Sequence, residues 1–310
     1  MPFSYHIANG RRVLAVLACV LCTSQTLPGD LGATAAPVDS SEVAGDRLLA
    51  EGHYRAAVRA LQLSVRRQPD SAQRHRKLGA AMAKDEQLPQ AVAAYERAIA
   101  LREDYAKART ELAILLTRLD RHDEAVQTLE RAVELSPDYA WAHMSLGLLH
   151  FSKGYYDKAL LAYEQAIDAE TDYGEAWFNV GEVHLKQNDY PAAEKAYRRA
   201  IGVDSTVAKY RNGLAASHYR RRDYAAAVTE LKRAVSFDSL YARARFNLGN
   251  ALLRTGQREE GRRQLDLYRR LEEEEREISS MKNTLLITPD IAEIYHDMGM
   301  IYSRRGQYDQ

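Results

Sequence analysis

The sequence predicts an all-α protein built from a short repeated unit. Ala, Leu, Arg and Glu, which favour or tolerate helix, are abundant among the 310 residues. Only 8 Pro and 17 Gly are present, which is few for a fold rich in turns. The same large and small residues also recur every 34 positions along most of the chain.

The composition is that of an ordered protein with no overall electrostatic preference for a partner. The chain is 46% apolar and 28% charged, and 43 Lys and Arg balance 43 Asp and Glu. This composition excludes disorder over the whole length. Because the net charge is zero, nothing draws the whole chain to nucleic acid or to an anionic membrane, and we expect no nucleic-acid partner.

Residues 1–36 differ from the rest of the chain and resemble a secretory signal peptide. Arg11 and Arg12 precede a ten-residue apolar run, 13–22, and a stretch containing Ala33-Thr34-Ala35 follows. The run is half of the roughly 20 residues that a membrane-spanning helix needs. We therefore expect export to the periplasm or the cell surface, most simply in a bacterium. An N-terminus that stays in the cytoplasm is the alternative.

Both cysteines, Cys19 and Cys22, lie within this leader. Their spacing can form a redox or metal site, but within an apolar signal core we expect neither. Residues 16–19 also resemble a bacterial lipoprotein box. We expect the protein to be attached to a membrane only if Cys19 is lipidated. If the leader is removed, the mature chain has no thiol, which excludes thiolate catalysis and cysteine-bound zinc.

The 34-residue period is carried by pairs of residues in constant phase. The pairs are Leu78-Gly79, Leu112-Ala113, Leu146-Gly147, Val180-Gly181, Leu214-Ala215 and Leu248-Gly249. Alanines follow at two fixed distances, as Ala91, Ala125, Ala159, Ala193 and Ala227, and then as Ala98, Ala132, Ala166, Ala200 and Ala234. A bulky residue lies between them, as Tyr95, Leu129, Tyr163, Tyr197 or Leu231.

This pattern resembles the tetratricopeptide repeat, which sets Leu-Gly or Leu-Ala at positions 7 and 8, Ala at 20 and 27, and a large residue at 24. Seven such repeats run from 38 to 275. The resemblance implies that each repeat is a pair of antiparallel helices, A and B, stacked into a right-handed superhelical solenoid. Helix A of each repeat would line a concave groove.

The pattern breaks down after the seventh repeat. We expect a charged helix extension and connector over 276–291, and a partial repeat with helix A only over 292–310. Tyr295, Met298 and Tyr302 of that helix should pack on a helix B that the sequence does not contain. We therefore expect the chain to be a fragment whose last residues are less stable than 72–275.

No sequence motif for catalysis or cofactor binding is present. Phosphate-binding loops, dinucleotide fingerprints, zinc-protease helices and nucleophile elbows are all missing. We expect no enzymatic activity, no cofactor and no small-molecule substrate. His150, His184 and His218 recur every 34 residues, but stacked repeats separate them by on the order of 10 Å, too far to share one metal ion. We expect them to fill the aromatic slot at position 11.

The resemblance implies that positions 2, 5, 9, 12 and 13 of helix A face the groove. Position 13 forms a basic ladder, Lys84, Arg118, Lys186, Arg220, Arg254 and Arg304, interrupted by Ser152. The apolar groove residues are Met144, Leu148, Phe151, Phe178, Leu185, Tyr219, Phe246 and Leu253. Together with Lys186, Arg220 and Arg254, these are the predicted partner-binding residues. Packing between helices for the apolar set, and capping of helix ends for the basic set, are the alternatives.

The predicted function is that of an exported, non-catalytic scaffold that binds a peptide or protein in the groove. The alternative is a substrate-recruiting arm of a larger, glycosyltransferase-like enzyme whose catalytic domain is missing from this chain. The carboxylate clamp known in chaperone-binding members of the family is absent, because Met144, Leu148 and Gly213 occupy its slots. The asparagine ladder of glycosyltransferase arms is reduced to Asn179 and Asn247.

Overall fold

A computed structural model describes residues 40–288 and 291–306. The predicted leader lies outside these residues. Regular structure in the described residues is helical throughout. The helices are α1 Ser40–Ala50, α2 Tyr54–Arg67, α3 Ala72–Lys84, α4 Leu88–Leu101, α5 Ala106–Arg118, α6 His122–Leu135, α7 Ala140–Ser152, α8 Tyr156–Ala169, α9 Gly174–Lys186, α10 Tyr190–Val203, α11 Ala208–Arg220, α12 Tyr224–Phe237, α13 Ala242–Arg254, α14 Arg258–Ile287 and α15 Ala292–Arg304.

The helix boundaries follow the period of the sequence. The odd-numbered helices from α3 to α13 begin at residues 72, 106, 140, 174, 208 and 242, and the even-numbered helices from α2 to α14 begin at 54, 88, 122, 156, 190, 224 and 258. Each 34-residue repeat is therefore one helix pair. We call the odd-numbered helices A helices and the even-numbered helices B helices.

The described helices divide between two compact units, residues 1–170 with α1 to α8 and residues 171–310 with α9 to α15. Within each unit an A helix packs on its own B helix, on the preceding B helix and on the next A helix. The two helices of a pair are antiparallel, since Gly249 lies against Leu265 whereas Leu253 lies against Gly261. The all-α fold built from stacked helix pairs is thus confirmed.

Glycine at position 8 allows the two helices of a pair to approach closely. A Cβ atom added to Gly147 would lie 2.4 Å from the ring of Tyr163, and one added to Gly181 would lie 2.6 Å from the ring of Tyr197. At Gly249 the added atom would lie 2.9 Å from the carbonyl oxygen of Gly261. These contacts explain why small residues alternate with large ones in the repeat.

Each turn from an A helix to its B helix uses one residue with left-handed backbone geometry. In seven repeats and after α15, φ lies between 58° and 83° at Gly52, Glu86, Asp120, Gly154, Asn188, Arg222, Gly256 and Gly306. The next amide then closes the helix end, as in the 2.9 Å bond from the amide of Gln87 to the carbonyl of Met82. This geometry costs about 1–2 kcal/mol for most residues other than glycine, but Asn and Asp tolerate it. The turn is therefore strained at Glu86 and Arg222.

A side chain at position 4 of the A helix fixes the turn that enters it. A nitrogen of this side chain donates to a carbonyl six residues earlier in His75 (2.9 Å), Arg109 (3.0 Å), His143 (2.7 Å), Arg211 (3.3 Å) and Arg245 (2.7 Å). The bond satisfies a carbonyl in the turn between repeats, where no helix supplies a donor.

Helix α14 is 30 residues long. Helix α15 packs on its C-terminal half. Ile278 and Met281 pack against Met298, Ile301 and Tyr302. Arg305 adds a 2.7 Å bond to the carboxylate of Glu274. None of the helices that the structure describes combines the length and the apolar character needed to cross a membrane.

Candidate functional site

Three of the predicted groove residues lie in the first unit, on α7. Met144 is buried, and Leu148 and Phe151 are partly buried. The ring of Phe151 lies 5.8 Å from that of Tyr156 at the start of the B helix. These side chains contribute to packing, and they offer little open apolar surface.

Phe178 and Leu185, on α9 of the second unit, are also packing residues. The ring centroid of Phe178 lies 5.7 Å from that of Tyr197 and 5.6 Å from that of Tyr210. Leu185 is buried in the same cluster. For these two residues the structure matches the alternative of packing between helices. Their role in binding a partner stays a prediction.

The apolar residues on α13 remain accessible. Phe246 is 40% exposed and Leu253 is 37% exposed, and they lie two helical turns apart on one face. Phe246 has one aromatic neighbour, Tyr268, at 5.1 Å. On the preceding A helix, Tyr219 is partly buried against Tyr224 at 5.0 Å.

Basic side chains accompany these apolar residues. Arg254 donates a hydrogen bond to the hydroxyl of Tyr219, which raises the pKa of the guanidinium above its usual value. Partial burial lowers the pKa of Lys186, and the nearby cations Arg220 and Arg243 lower it further, although Glu182 opposes them. These effects indicate that Arg220 and Arg243 lie within electrostatic range of Lys186.

We call this surface the second-unit A face and define it by Lys186, Tyr219, Arg220, Arg243, Phe246, Leu253 and Arg254. Arg243 was not among the residues predicted from the sequence. The available signal was its place at position 2 of the A helix, which is one of the groove positions.

The two acidic residues at groove positions of α9 have partners. Glu175 is bound by the ammonium group of Lys209. The hydroxyl of Tyr197 donates to Glu182 at 2.6 Å. Glu182 also acts on Lys186, whose pKa it raises against the effects of burial and of Arg220 and Arg243.

In the first unit, cations of the A helices likewise bind carboxylates. Arg118 donates to both oxygens of Glu86, at 2.8 and 2.9 Å. Arg76 binds the buried Glu111 at 2.7 Å. Lys77 binds Glu42 at the same distance.

The recurring histidines lie in the helix packing. His150 and His218 are buried, and His184 is partly buried. Burial lowers the pKa of His150, which lies 6.3 Å from the ring of Tyr155. In the part of the chain that the structure describes, no three His, Cys, Asp or Glu side chains form a group able to hold a metal ion.

Comparison with solved structures shows the fold. A tetratricopeptide repeat protein from Parabacteroides merdae matches with a TM-score of 0.59 at 15% identity, covering 74% of this chain and 91% of that one. Pseudomonas aeruginosa pilF matches with a TM-score of 0.57 at 18% identity, covering 66% and 94%. The Cut9-Hcn1 hetero-tetramer of the APC/C matches with a TM-score of 0.58 at 19% identity, over 68% of this chain but only 42% of that one.

Family models extend this result to the sequence. One model described as tetratricopeptide repeat matches residues 43–100, 142–207 and 212–271, and a second with the same description matches 104–171. A search of curated proteins found no match. Since the first model alone covers more than half of the chain, the protein belongs to the tetratricopeptide repeat family, whose fold serves as a protein-interaction scaffold.

Proposed function

We propose that the protein is an exported, non-catalytic scaffold that holds a peptide or protein on the second-unit A face. The observation that carries this proposal is the exposure of Phe246 and Leu253 on one side of α13, the helix that also carries Arg254. Burying the exposed part of such a side chain, about two fifths of its surface, against a partner is worth roughly 1 kcal/mol. The surrounding cations give the surface a polar rim, as in other protein interfaces.

A pair of phenylalanines in the second unit tests this assignment. Phe246, on an A helix, is 40% exposed and has Tyr268 as its ring contact. Phe237, on a B helix, is 47% exposed and has Arg211 at 5.4 Å. We expect Phe246→Ala to weaken binding of the partner captured from the native host by about fivefold, because the contact between the exposed part of the ring and the partner is lost. Phe237→Ala should leave the affinity unchanged.

Affinity and thermal unfolding must be measured on both variants, since each ring also contacts a neighbour. Similar small losses of stability are expected for the two variants. A loss of affinity that is equal in both variants, or larger for Phe237→Ala, would place the partner elsewhere.

Export is the second part of the proposal, and it is supported by the order of charge, apolar run and small residues in 1–36. We expect the mature protein to begin between residues 25 and 37 and to occur outside the cytoplasm. N-terminal sequencing of the protein from its host would measure this. An intact Met1 on cytoplasmic protein would remove export from the proposal.

A further inference from the structure

Helix α15 packs on α14 with one of its faces and leaves another face open. Met298 and Tyr302, which the sequence predicted to need a B helix of their own, pack against α14 instead. Tyr295, predicted to pack on the same B helix, is 55% exposed, and Met300 is 53% exposed. Large apolar side chains therefore remain uncovered on the last described helix.

The eighth residue of α15, Gly299, lacks the neighbour that this position has elsewhere in the fold. A Cβ atom added to Gly147, the eighth residue of α7, would lie 2.4 Å from the ring of Tyr163, whereas one added to Gly299 would meet no described atom within 4 Å. Tyr295 lies about one turn before Gly299 on the same face. One face of α15 thus carries both parts of the contact, an open glycine and an uncovered tyrosine ring.

Two opposite charges lie at the two ends of α15. Glu293 is in its first turn and Arg304 is in its last turn. They are 11 residues apart, which is about three helical turns, so both lie on the same side of the helix. Neither forms an ion pair with another residue that the structure describes. An antiparallel copy of this helix would bring a carboxylate beside a guanidinium at both ends.

We propose that α15 pairs in antiparallel orientation with α15 of a second copy of this chain, about a twofold axis near Gly299. Tyr295 of each copy would cover Gly299 of the other, as Tyr163 covers Gly147 within a repeat. Glu293 of each copy would bind Arg304 of the other. The surface shares no residue with the second-unit A face, so the inference is independent of the proposed function.

The self-complementary face favours a second copy over an unrelated helix. A twofold interface uses the same patch on both subunits, so one surface must supply both sides of every contact. Tyr295 with Gly299, and Glu293 with Arg304, meet this requirement. Because one pair of 13-residue helices buries less than the roughly 800 Å² per partner of a standard interface, we expect a weak dimer with a Kd on the order of 10–100 µM.

Exchange of the terminal charges is the first test. Glu293→Lys and Arg304→Glu should each weaken the dimer by about tenfold at low salt, because both ion pairs become repulsive in either variant. An equimolar mixture of the two variants should associate about as tightly as the wild type, because each mixed dimer again has two pairs of opposite charge. Sedimentation equilibrium of the full chain over a range of concentrations measures these affinities.

Added bulk at Gly299 is the second test. Gly299→Gln should weaken the dimer by about tenfold, because the new side chain separates the two helices. Gly202 in α10 is the matched control, since it is also helical and exposed and a Cβ atom added there meets no described atom within 4 Å. Gly202→Gln should leave the dimer unchanged. Neither variant should lower the unfolding temperature, because Gln favours helix more than Gly does.

A wild-type chain that stays monomeric at concentrations about tenfold above the expected Kd would overturn the proposal. A dimer that Gly299→Gln does not weaken would also overturn it, because the contact would then lie elsewhere. So would a mixture of the two charge variants that associates no more tightly than either variant alone.

Discussion

Tyr197→Ala is expected to lower the free energy of unfolding by about 3–5 kcal/mol. The ring is fully buried and wedged between two glycines, since a Cβ atom added to Gly181 or Gly213 would lie 2.6 or 2.5 Å from it. The ring of Phe178 completes the contact at 5.7 Å. Backbone on both sides prevents the site from collapsing, so the cavity would persist. Chemical denaturation measures the loss.

Tyr197→Phe is the control for the hydroxyl group. This variant keeps the ring and removes only the 2.6 Å bond to Glu182, which is partly exposed and can bind water instead. We expect a loss of about 1–2 kcal/mol. If the two variants were equally destabilised, the hydrogen bond rather than ring packing would hold these helices together.

Arg76→Met should lower the free energy of unfolding by a similar amount at neutral pH, about 3–5 kcal/mol. Arg76 binds Glu111 at 2.7 Å and donates to the hydroxyl of Tyr105 at 2.9 Å. The side chain of Glu111 is only 5% exposed. Without the guanidinium, its carboxylate would be left in the core of the first unit with no adequate counter-charge.

The loss in Arg76→Met should depend on pH. Burial already raises the pKa of Glu111, and Arg76 is the strongest influence that lowers it. Removing Arg76 would raise this pKa further. A group whose pKa is higher in the folded state favours folding when protonated, so the destabilisation should be full above the folded pKa and should shrink toward the ordinary Glu pKa of about 4.3.

Arg76→Met with Glu111→Leu provides the control, because it removes both charges. This double variant should recover most of the stability at neutral pH and lose the pH dependence of the single variant. A single variant with a pH-independent loss, or a double variant as unstable as the single one, would show that the ion pair is not what stabilises this contact.

Contacts within a repeat could be predicted from the sequence, whereas contacts between repeats could not. The spacing of Gly181 and Tyr197 predicts that a small and a large residue meet, since both lie in one helix pair. The place of Phe178 in the repeat predicts that its side chain faces the groove. In the structure, the ring of Tyr210 from the next repeat packs against it. The pair Arg76 and Glu111 is 35 residues apart and becomes recognisable only when adjacent A helices are stacked.

The left-handed turns show a second limit of the sequence. Glycine at 52, 154 and 256 is typical of such a turn, but Glu86 and Arg222 are not. Their conformation is set by the hydrogen bonds that close the A helix, which local preferences do not reveal. The 34-residue period aligns Glu86 with Arg222, but only the structure shows that both adopt the left-handed turn conformation.

Photo-crosslinking from within the complex tests the central claim most directly. Benzoylphenylalanine in place of Phe246 or in place of Phe237 is a conservative change at two comparably exposed rings. If the partner binds the second-unit A face, the probe at Phe246 should crosslink to it in high yield and the probe at Phe237 should not. Crosslinking from Phe237 alone would contradict the account, because it would place the partner on the B helices.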